Sequence, residues 1–381
     1  MYRDKTEDEL MEDGFSIKMA HYYSDCMRRE RASGIWDKSY IDWAHSRGFL
    51  AESASAYHLT DRNRGEYLSD YDYYKIWPLN SWERIWINDK LTLKYMLSGT
   101  MLDRYMPEYY YYCDAEKGLI PLVDTPSDGR DVMSSFCELL KKKGDFACKP
   151  NNGQGADGFC RLSYRSGEYR INNESVNRKR IEEFVNTHNN YIYTEYLLPE
   201  MKLSWISPLI HTLRMVVVSD SKRGSQILGG YLRFAKDSGD VVNHTSKLSA
   251  REFDYDTEVD WETGFFHSGR AVYGNRTEDM PIHPASGKMA EGYLDHWDQV
   301  LWVVREFSEK YKLCEYLGFD LCISTKGLKI MEINSHLGIK HMQIIRPLLK
   351  DGFSKKYFEE KIAKVRGMNE EEKRSRRQLW R

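Results

Sequence analysis

The chain of 381 residues carries 30% charged residues at a formal net charge of -2, so no excess of either sign marks it for nucleic acid or a membrane surface. Aromatic residues make up 13%, with 27 Tyr and 10 Trp, which excludes a disordered chain and supplies real cores. No run approaches the roughly 20 apolar residues of a membrane span, and the acidic opening MYRDKTEDELMEDGF is unlike a signal peptide.

Residues 1 to 80 read as a polar helical region with interleaved aromatics. FSIKMAHYYSDCMRRERASG has apolar residues at helical spacing and stops at Gly34. In WINDKLTLKYMLS, Asn88-Asp89 caps a following helix. RDVMSSFCELLKKKGDFACKP reads as a helix, a Lys/Gly turn and a strand ending at Lys149. After Gly153, Gly155 and Gly158 the strand GFCRLSY resumes. The glycines thus tip a hairpin and do not form a strand-to-helix phosphate loop. A helix from Ile181 to about His188 precedes the strand in NNYIYTEYLLP. HTLRMVVVSD and SQILGGYLRFA form an antiparallel pair around Lys-Arg-Gly. A long helix starts near His296. YLGFDLCIS and LKIMEINS then form a second hairpin joined by Thr-Lys-Gly, and the charged tail EEEKRSRRQLWR reads as a helix end or a frayed segment. The seven cysteines are dispersed without a Cys-x-x-Cys pair, which fits reduced thiols in a cytoplasm.

The second hairpin is the first place where chemistry is legible. Glu332 and Asn334, two apart on a strand, project to one face while Met331 and Ile333 point to the other. Asp320 can sit opposite them. Two carboxylates and an amide oxygen suit Mg²⁺, which takes few protein ligands; a solvated polar sheet face is the alternative. Both strands read as too apolar for a sheet edge. Lys149, at a strand end with glycine amides beyond it, can contact a phosphate. A mobile hairpin tip accounts for the glycines equally well, and Lys90 alone reads as a surface lysine. Arg214 lies inside TLRMVVV, where an unpaired arginine is rare, so either an anionic substrate or a salt bridge accounts for it. His211, His244, His267, His283, His336 and His341 show no metal-ligand spacing and read as surface or hydrogen-bonded groups. The alternative is a proton-accepting role for His336 or His244. No Gly-x-Ser-x-Gly elbow is present, which argues against an acyl hydrolase.

The order of these features resembles the ATP-grasp superfamily: a Lys in DK opening a helix, a strand ending in Lys-Pro before glycines, YIYTEYL, Gly-Phe-Asp, and Met-Glu-Ile-Asn. The resemblance implies that Lys90 and Lys149 contact nucleotide phosphates and that the loop of Gly153, Gly155 and Gly158 covers them. It implies that the backbone at Glu195, Tyr196 and Leu197 grips adenine, and that Asp320, Glu332 and Asn334 hold Mg²⁺, with Mn²⁺ as a substitute. A narrower resemblance covers most of the chain. INDKLTLKYML, MPEYYYYC, SPLIHTLRMVVV, YLRFA followed by VVNHTSKL, HPASGK and GFDLCISTKGLKIMEINSHLG are similar to the sugar-transfer-associated ATP-grasp proteins, which occur with polysaccharide assembly machinery. This implies catalytic roles for Arg214 and Arg233 and a place near the nucleotide for Asn243. Two departures stand out. His211-Thr212 replaces the usual Asn-Thr and could shift the acceptor pocket. Val242-Asn243 replaces Asp-Asn and removes a carboxylate near the phosphates.

The resemblance implies an α+β fold, with two α+β subdomains gripping ATP between antiparallel sheets behind an N-terminal helical extension. The expected division is a helical cap over 1–80, a first subdomain over 81–132, a lid subdomain over 133–198, a C-terminal subdomain over 199–365 and a charged tail over 366–381. The implied activity is ATP-dependent carboxylate–amine ligation through an acyl phosphate. It releases ADP and phosphate and acts on a sugar acid or amino-acid-type substrate in polysaccharide or related biosynthesis, without a nucleic-acid partner. A small-molecule or glycan kinase would use the same residues, and so would a non-catalytic nucleotide-binding assembly factor.

Overall fold

The computed structural model describes residues 5–153, 158–220, 223–236, 248–350 and 352–378. The chain opens with α1 (Glu7–Glu12), α2 (Ile17–Ser33), α3 (Lys38–His45), α4 (Ala51–Ala56) and α5 (Asp70–Ile76), then α6 (Ile85–Asn88) and α7 (Lys90–Leu97). Thr6 and Glu9 close a capping box on α1, and Asp89 caps α7 through the Thr92 N–H.

A first antiparallel sheet follows. Its strands are β1 (Tyr109–Asp114), β2 (Gly118–Pro121), β3 (Asp145–Pro150), β4 (Cys160–Arg165), β5 (Glu168–Ile171), β6 (Glu174–Val176) and β7 (Tyr191–Glu195), in the order β2-β1-β7-β3-β4-β5-β6. Strands from both sides of residue 132 are therefore joined in one sheet. Helices α8 (Val132–Lys143) and α9 (Arg178–Thr187) pack on it. Asp131 caps α8, three lysines occupy its last turn, and Phe136 and Leu140 are fully buried. Phe136 meets Tyr111, Phe146 and Tyr193 edge-on, which locks helix to sheet.

After α10 (Met201–Ser204) comes the second sheet: β8 (Thr212–Asp220), β9 (Gly224–Phe234), β10 (Phe253–Val259), β11 (Phe265–Tyr273), β12 (Thr277–Asp279), β13 (Gly292–Tyr293), β14 (Tyr316–Ser324) and β15 (Gly327–Asn334). Its order is β12-β11-β10-β9-β8-β14-β15, with β13 on β11. The run LRMVVV in β8 has one destination for each strand face. Leu213, Met215 and Val217 join the core with Val300, Val303, Val304 and Phe307 of α11 (Trp297–Lys310). Val216 and Val218 face the opposite core, made with Leu10 of α1, Phe15 of the turn after it and Tyr23 of α2, and with Tyr357, Phe358 and Val365 of α13 (Gly352–Arg366). Burial on both faces is why this strand reads as an unbroken apolar run. In chain order α12 (Lys340–Ile345) lies between β15 and α13.

One expectation is corrected, and the helical reading of the tail holds. β15 ends the hydrogen-bonded order although its apolar sequence argued against an edge. Its cover comes from outside the sheet: α6 and the turn Asp103–Tyr105 pack on it, and Lys329 Nζ donates to the Arg104 and Met106 carbonyls at 3.0 and 3.1 Å. The charged tail is an ordered helix, α14 (Glu370–Arg377), and no frayed end over those residues. Arg376 is buried and donates to the carbonyls of Gly14, Lys75 and Trp77 at 3.0, 2.9 and 2.7 Å. Among the described residues no helix is long and apolar enough to cross a membrane.

Candidate active site

Register brings the acidic face together. Asp320 on β14 lies opposite Glu332 on β15 and, on its other side, opposite Arg214 on β8. Arg214 in turn faces Tyr231 on β9. Arg214 grips Asp320 with two parallel hydrogen bonds, one through Nε and one from Nη2 to Oδ2 at 2.9 Å. Asn334 Nδ2 donates to Asp320 Oδ2 at 3.1 Å and to Glu332 Oε1 at 3.2 Å. Lys90 Nζ lies 3.4 Å from Glu332 Oε2. Burial raises the Asp320 carboxyl above its ordinary range; Arg214 opposes the rise and the charge of Glu332 adds to it. Burial also works against Glu332, but Lys90 and the hydrogen bond with Asp320 hold it below the usual carboxylate range. The two carboxyls interact, so their protons come off in steps that belong to the pair.

Among the described residues no group of three or more His, Cys, Asp or Glu side chains is arranged to hold a metal ion by itself. The donor set is two carboxylates and one amide, and magnesium asks for no more from a protein. The Asn334 amide turns Nδ2 toward both carboxylates; a half-turn of its last bond would offer the oxygen instead.

Across from this face stand two lysines. Lys90 opens α7 and is buried; its Nζ donates to Gly153 O at 3.0 Å and Asn151 O at 3.4 Å. Lys149, at the end of β3, is half-buried. Among the described residues no hydrogen bond or ion pair holds its ammonium. Burial, reinforced by the positive charge of Lys90, pushes it down to about 8, with Glu332 and Asp320 opposing. Gly158 follows the loop at φ +77°, a conformation that favours glycine, and a Cβ there would press on the Tyr191 hydroxyl and Pro150. Gly153 stands at the loop's other root. Gly155 and Asn243 lie outside the described residues.

Glu195 ends β7 and is buried. Its N–H donates to Glu108 O at 2.8 Å and its carboxylate pairs with Lys326 in the β14–β15 turn. The Arg161 guanidinium lies 4.3 Å from the centre of the Tyr196 ring, and Leu197 is half-buried. Beyond them the linker is pinned to the second sheet, Glu200 N to Ile323 O at 3.1 Å and Thr325 N to Leu198 O at 3.0 Å. Residues 195–200 thus join the two sheets at the edge of the site.

Arg233, two residues from Tyr231 on the same face of β9, sits in a network that the sequence reading missed. Its Nε donates to Asp256 Oδ1 at 2.9 Å, and Asp254 lies 3.6 Å away. His341 on α12 bonds Asp256 through Nδ1 at 2.5 Å, with its Nε2 3.5 Å from Asp254. Arg233 and His341 hold the Asp256 carboxyl far below its usual range against the penalty of burial. The available signal was the spacing in FDYDTEV, which sends Asp254 and Asp256 to one face.

His211 directly precedes β8. It is fully buried, and its Nε2 accepts the Ile323 N–H at 2.9 Å, linking β14 to the start of β8. Burial pushes it down to about 3, so it stays neutral. His336 lies 4.7 Å ring to ring from Trp77 and bonds the Ser335 hydroxyl through Nδ1 at 2.6 Å.

Two antiparallel sheets, joined by a short linker and facing each other with lysines on one side and carboxylates on the other, define an α+β ATP-grasp fold. Residues 78–351 match the model of the sugar-transfer associated ATP-grasp family, and the chain belongs to that family. The helices before residue 78 lie outside the match. No curated protein matches the chain. Among solved structures, D-alanyl-alanine synthetase A from Vibrio cholerae is 10% identical at a TM-score of 0.44, over 74% of this chain and 66% of that one. D-alanine–D-alanine ligase from Bacillus anthracis is 13% identical at 0.35, over 74% and 68%. The biotin carboxylase domain of Hydrogenobacter thermophilus 2-oxoglutarate carboxylase, in complex with MgADP, ADP and bicarbonate, is 11% identical at 0.38, over 74% and 46%. The chain thus spans about two thirds of the first two proteins and about half of the third.

Proposed function

We propose that the protein is an ATP-dependent ligase that joins a carboxylate to an amine through an acyl phosphate. The observation that carries this reading is Lys149: a half-buried ammonium without a described partner, beside Lys90 and across from paired carboxylates, suits an anion held against a cation. Lys90 and Lys149 would contact the nucleotide phosphates, and the backbone at Glu195, Tyr196 and Leu197 the adenine. Asp320, Glu332 and Asn334 would hold Mg²⁺, with Mn²⁺ as a substitute. The ion's chemistry is neutralisation of charge on the phosphates. Arg214 and Arg233, anchored by their bonds to Asp320 and Asp256, would present planar guanidiniums to the transferred phosphoryl group and the substrate carboxylate.

In this reaction a carboxylate oxygen attacks the γ-phosphorus and ADP leaves. The amine nitrogen then attacks the acyl carbon, phosphate departs, and the nitrogen gives up a proton. The carboxylate is a sugar acid or amino-acid-type compound, in keeping with the family. Seven free cysteines, six of them buried, support a reducing, cytoplasmic setting.

The test is ADP release from a panel of uronic acids and amino acids crossed with amines. Release should need both partners and disappear in Glu332→Ala while that variant remains folded at the assay temperature by circular dichroism. The product mass should equal both substrates less one water. A product that gains the mass of a phosphate would mark a kinase and overturn the ligase.

A further inference from the structure

Three consecutive residues tie the two sides of the site together. α6 ends at Asn88 and α7 begins at Lys90, so Asp89 is the corner between two helices. Each residue reaches a different part of the site. Asn88 accepts the Ser335 N–H at 3.0 Å and donates to the Ser335 hydroxyl at 2.9 Å. Ser335 is fully buried and directly follows Asn334. Asn80 supports it from the same side: its Nδ2 lies 3.4 Å from Ser335 O, while its amide pairs with both backbone groups of Tyr316.

Asp89 divides its two oxygens. Oδ1 caps α7 through Thr92 N at 2.7 Å; Oδ2 accepts from the side chains of Asn151 at 2.6 Å and Asn152 at 2.9 Å. Asn151 is buried, and the start of α7 grips it further: Leu91 N donates to its Oδ1 at 3.0 Å and Lys90 N to its carbonyl at 3.4 Å. Asn151 is the root of the glycine loop. Lys90 completes the set by spanning from the Gly153 and Asn151 carbonyls to Glu332.

We propose that Asn88 and Asp89 are positioning residues. Asn88 sets the end of the strand that carries Glu332 and Asn334, and Asp89 sets the root of the glycine loop. One rigid corner thus fixes the spacing between the carboxylate face and the loop, as supporting contacts fix working groups elsewhere. The proposal rests on the reading of this cleft as a nucleotide site.

The test uses ADP with and without Mg²⁺, and hydrogen exchange at the backbone amides of residues 151–153. Asp89→Asn keeps a good helix cap but turns a donor toward the Asn151 and Asn152 amides. It should speed exchange at 151–153 about tenfold and weaken ADP about fivefold while exchange in the distant core of β8 and α11 stays at wild-type levels. Asn151→Ala removes the same bonds from the loop side and should reproduce that exchange. Asn88→Ala should leave Mg²⁺-free ADP affinity as it is while cutting the Mg²⁺ enhancement about fivefold. Exchange and ADP affinity at wild-type levels in Asp89→Asn would overturn the role of Asp89. Equal weakening with and without Mg²⁺ in Asn88→Ala would overturn that of Asn88. A wild type that does not bind ADP would sink the nucleotide reading instead, and the exchange measurement would still decide for or against Asp89.

Discussion

Arg214 and Asp320 meet edge to edge across β8 and β14, guanidinium against carboxylate, with Nη2 2.9 Å from Oδ2 and both groups largely buried. The arginine that looked out of place in an apolar strand has a charged neighbour one strand away. Deleting one partner of such a pair leaves the other charge buried and uncompensated. Arg214→Met should therefore lower unfolding free energy by about 3 kcal/mol, and the double variant with Asp320→Asn should recover part of that loss. Urea titration of the single and double variants checks it; strictly additive losses would show that the pair does not act as one.

Lys149 should make nucleotide binding depend on protons. Its folded value of about 8 lies below the ordinary lysine value near 10.4. In that window the unfolded chain binds more protons, so this group's contribution to stability rises with pH between those values. Phosphate favours the charged ammonium, so ADP binding at about pH 8.5 should draw in a proton, and at about pH 6.5 it should not. Calorimetry in two buffers of different ionisation enthalpy reads the proton count, and Lys149→Met should abolish the difference.

His211 should weaken the fold in acid. It is held neutral to about 3, whereas an unfolded histidine takes a proton near 6.5. Between these values the unfolded state binds more protons, so stability falls as pH falls, by about 1.4 kcal/mol per unit of depression at the limit. Melting temperature against pH should be flatter in this range for His211→Asn than for the wild type. An identical slope would remove His211 from the account.

Arg376 should anchor the last helix. Its guanidinium satisfies three carbonyls from Gly14, Lys75 and Trp77, which a single ammonium cannot reproduce. Arg376→Ala should cost about 2–3 kcal/mol and Arg376→Lys nearly as much. Trypsin should then cut first within α14. Full retention of stability in Arg376→Lys would show that charge alone suffices.

Much of this architecture was legible because it is local. The period of a strand puts Glu332 beside Asn334, and a short turn folds Asp320 back against them. The glycine loop and its two flanking strands are likewise one hairpin. What stayed hidden depends on partners distant in sequence. Asp256 meets His341 only because β10 pairs with β9 and α12 lies across that face. Asn88 looked like half of a helix cap, yet its partner is Ser335, 247 residues further on. The cover on β15 and the docking of α14 also come from elsewhere in the chain, and no local periodicity announces either.

The core shared by the two ends of the chain sets an order of assembly. Leu10, Phe15 and Tyr23 share their core with α5 nearby and with β8, β14 and α13, ending at Val365. As the chain leaves the ribosome, the first helices can pack on α5 early, but the rest of their core waits for some 340 residues of further synthesis. At about 5–20 residues per second that wait lasts on the order of tens of seconds. A holding chaperone would find its main work on these helices, and a nascent chain arrested before β14 would be the form most prone to aggregate.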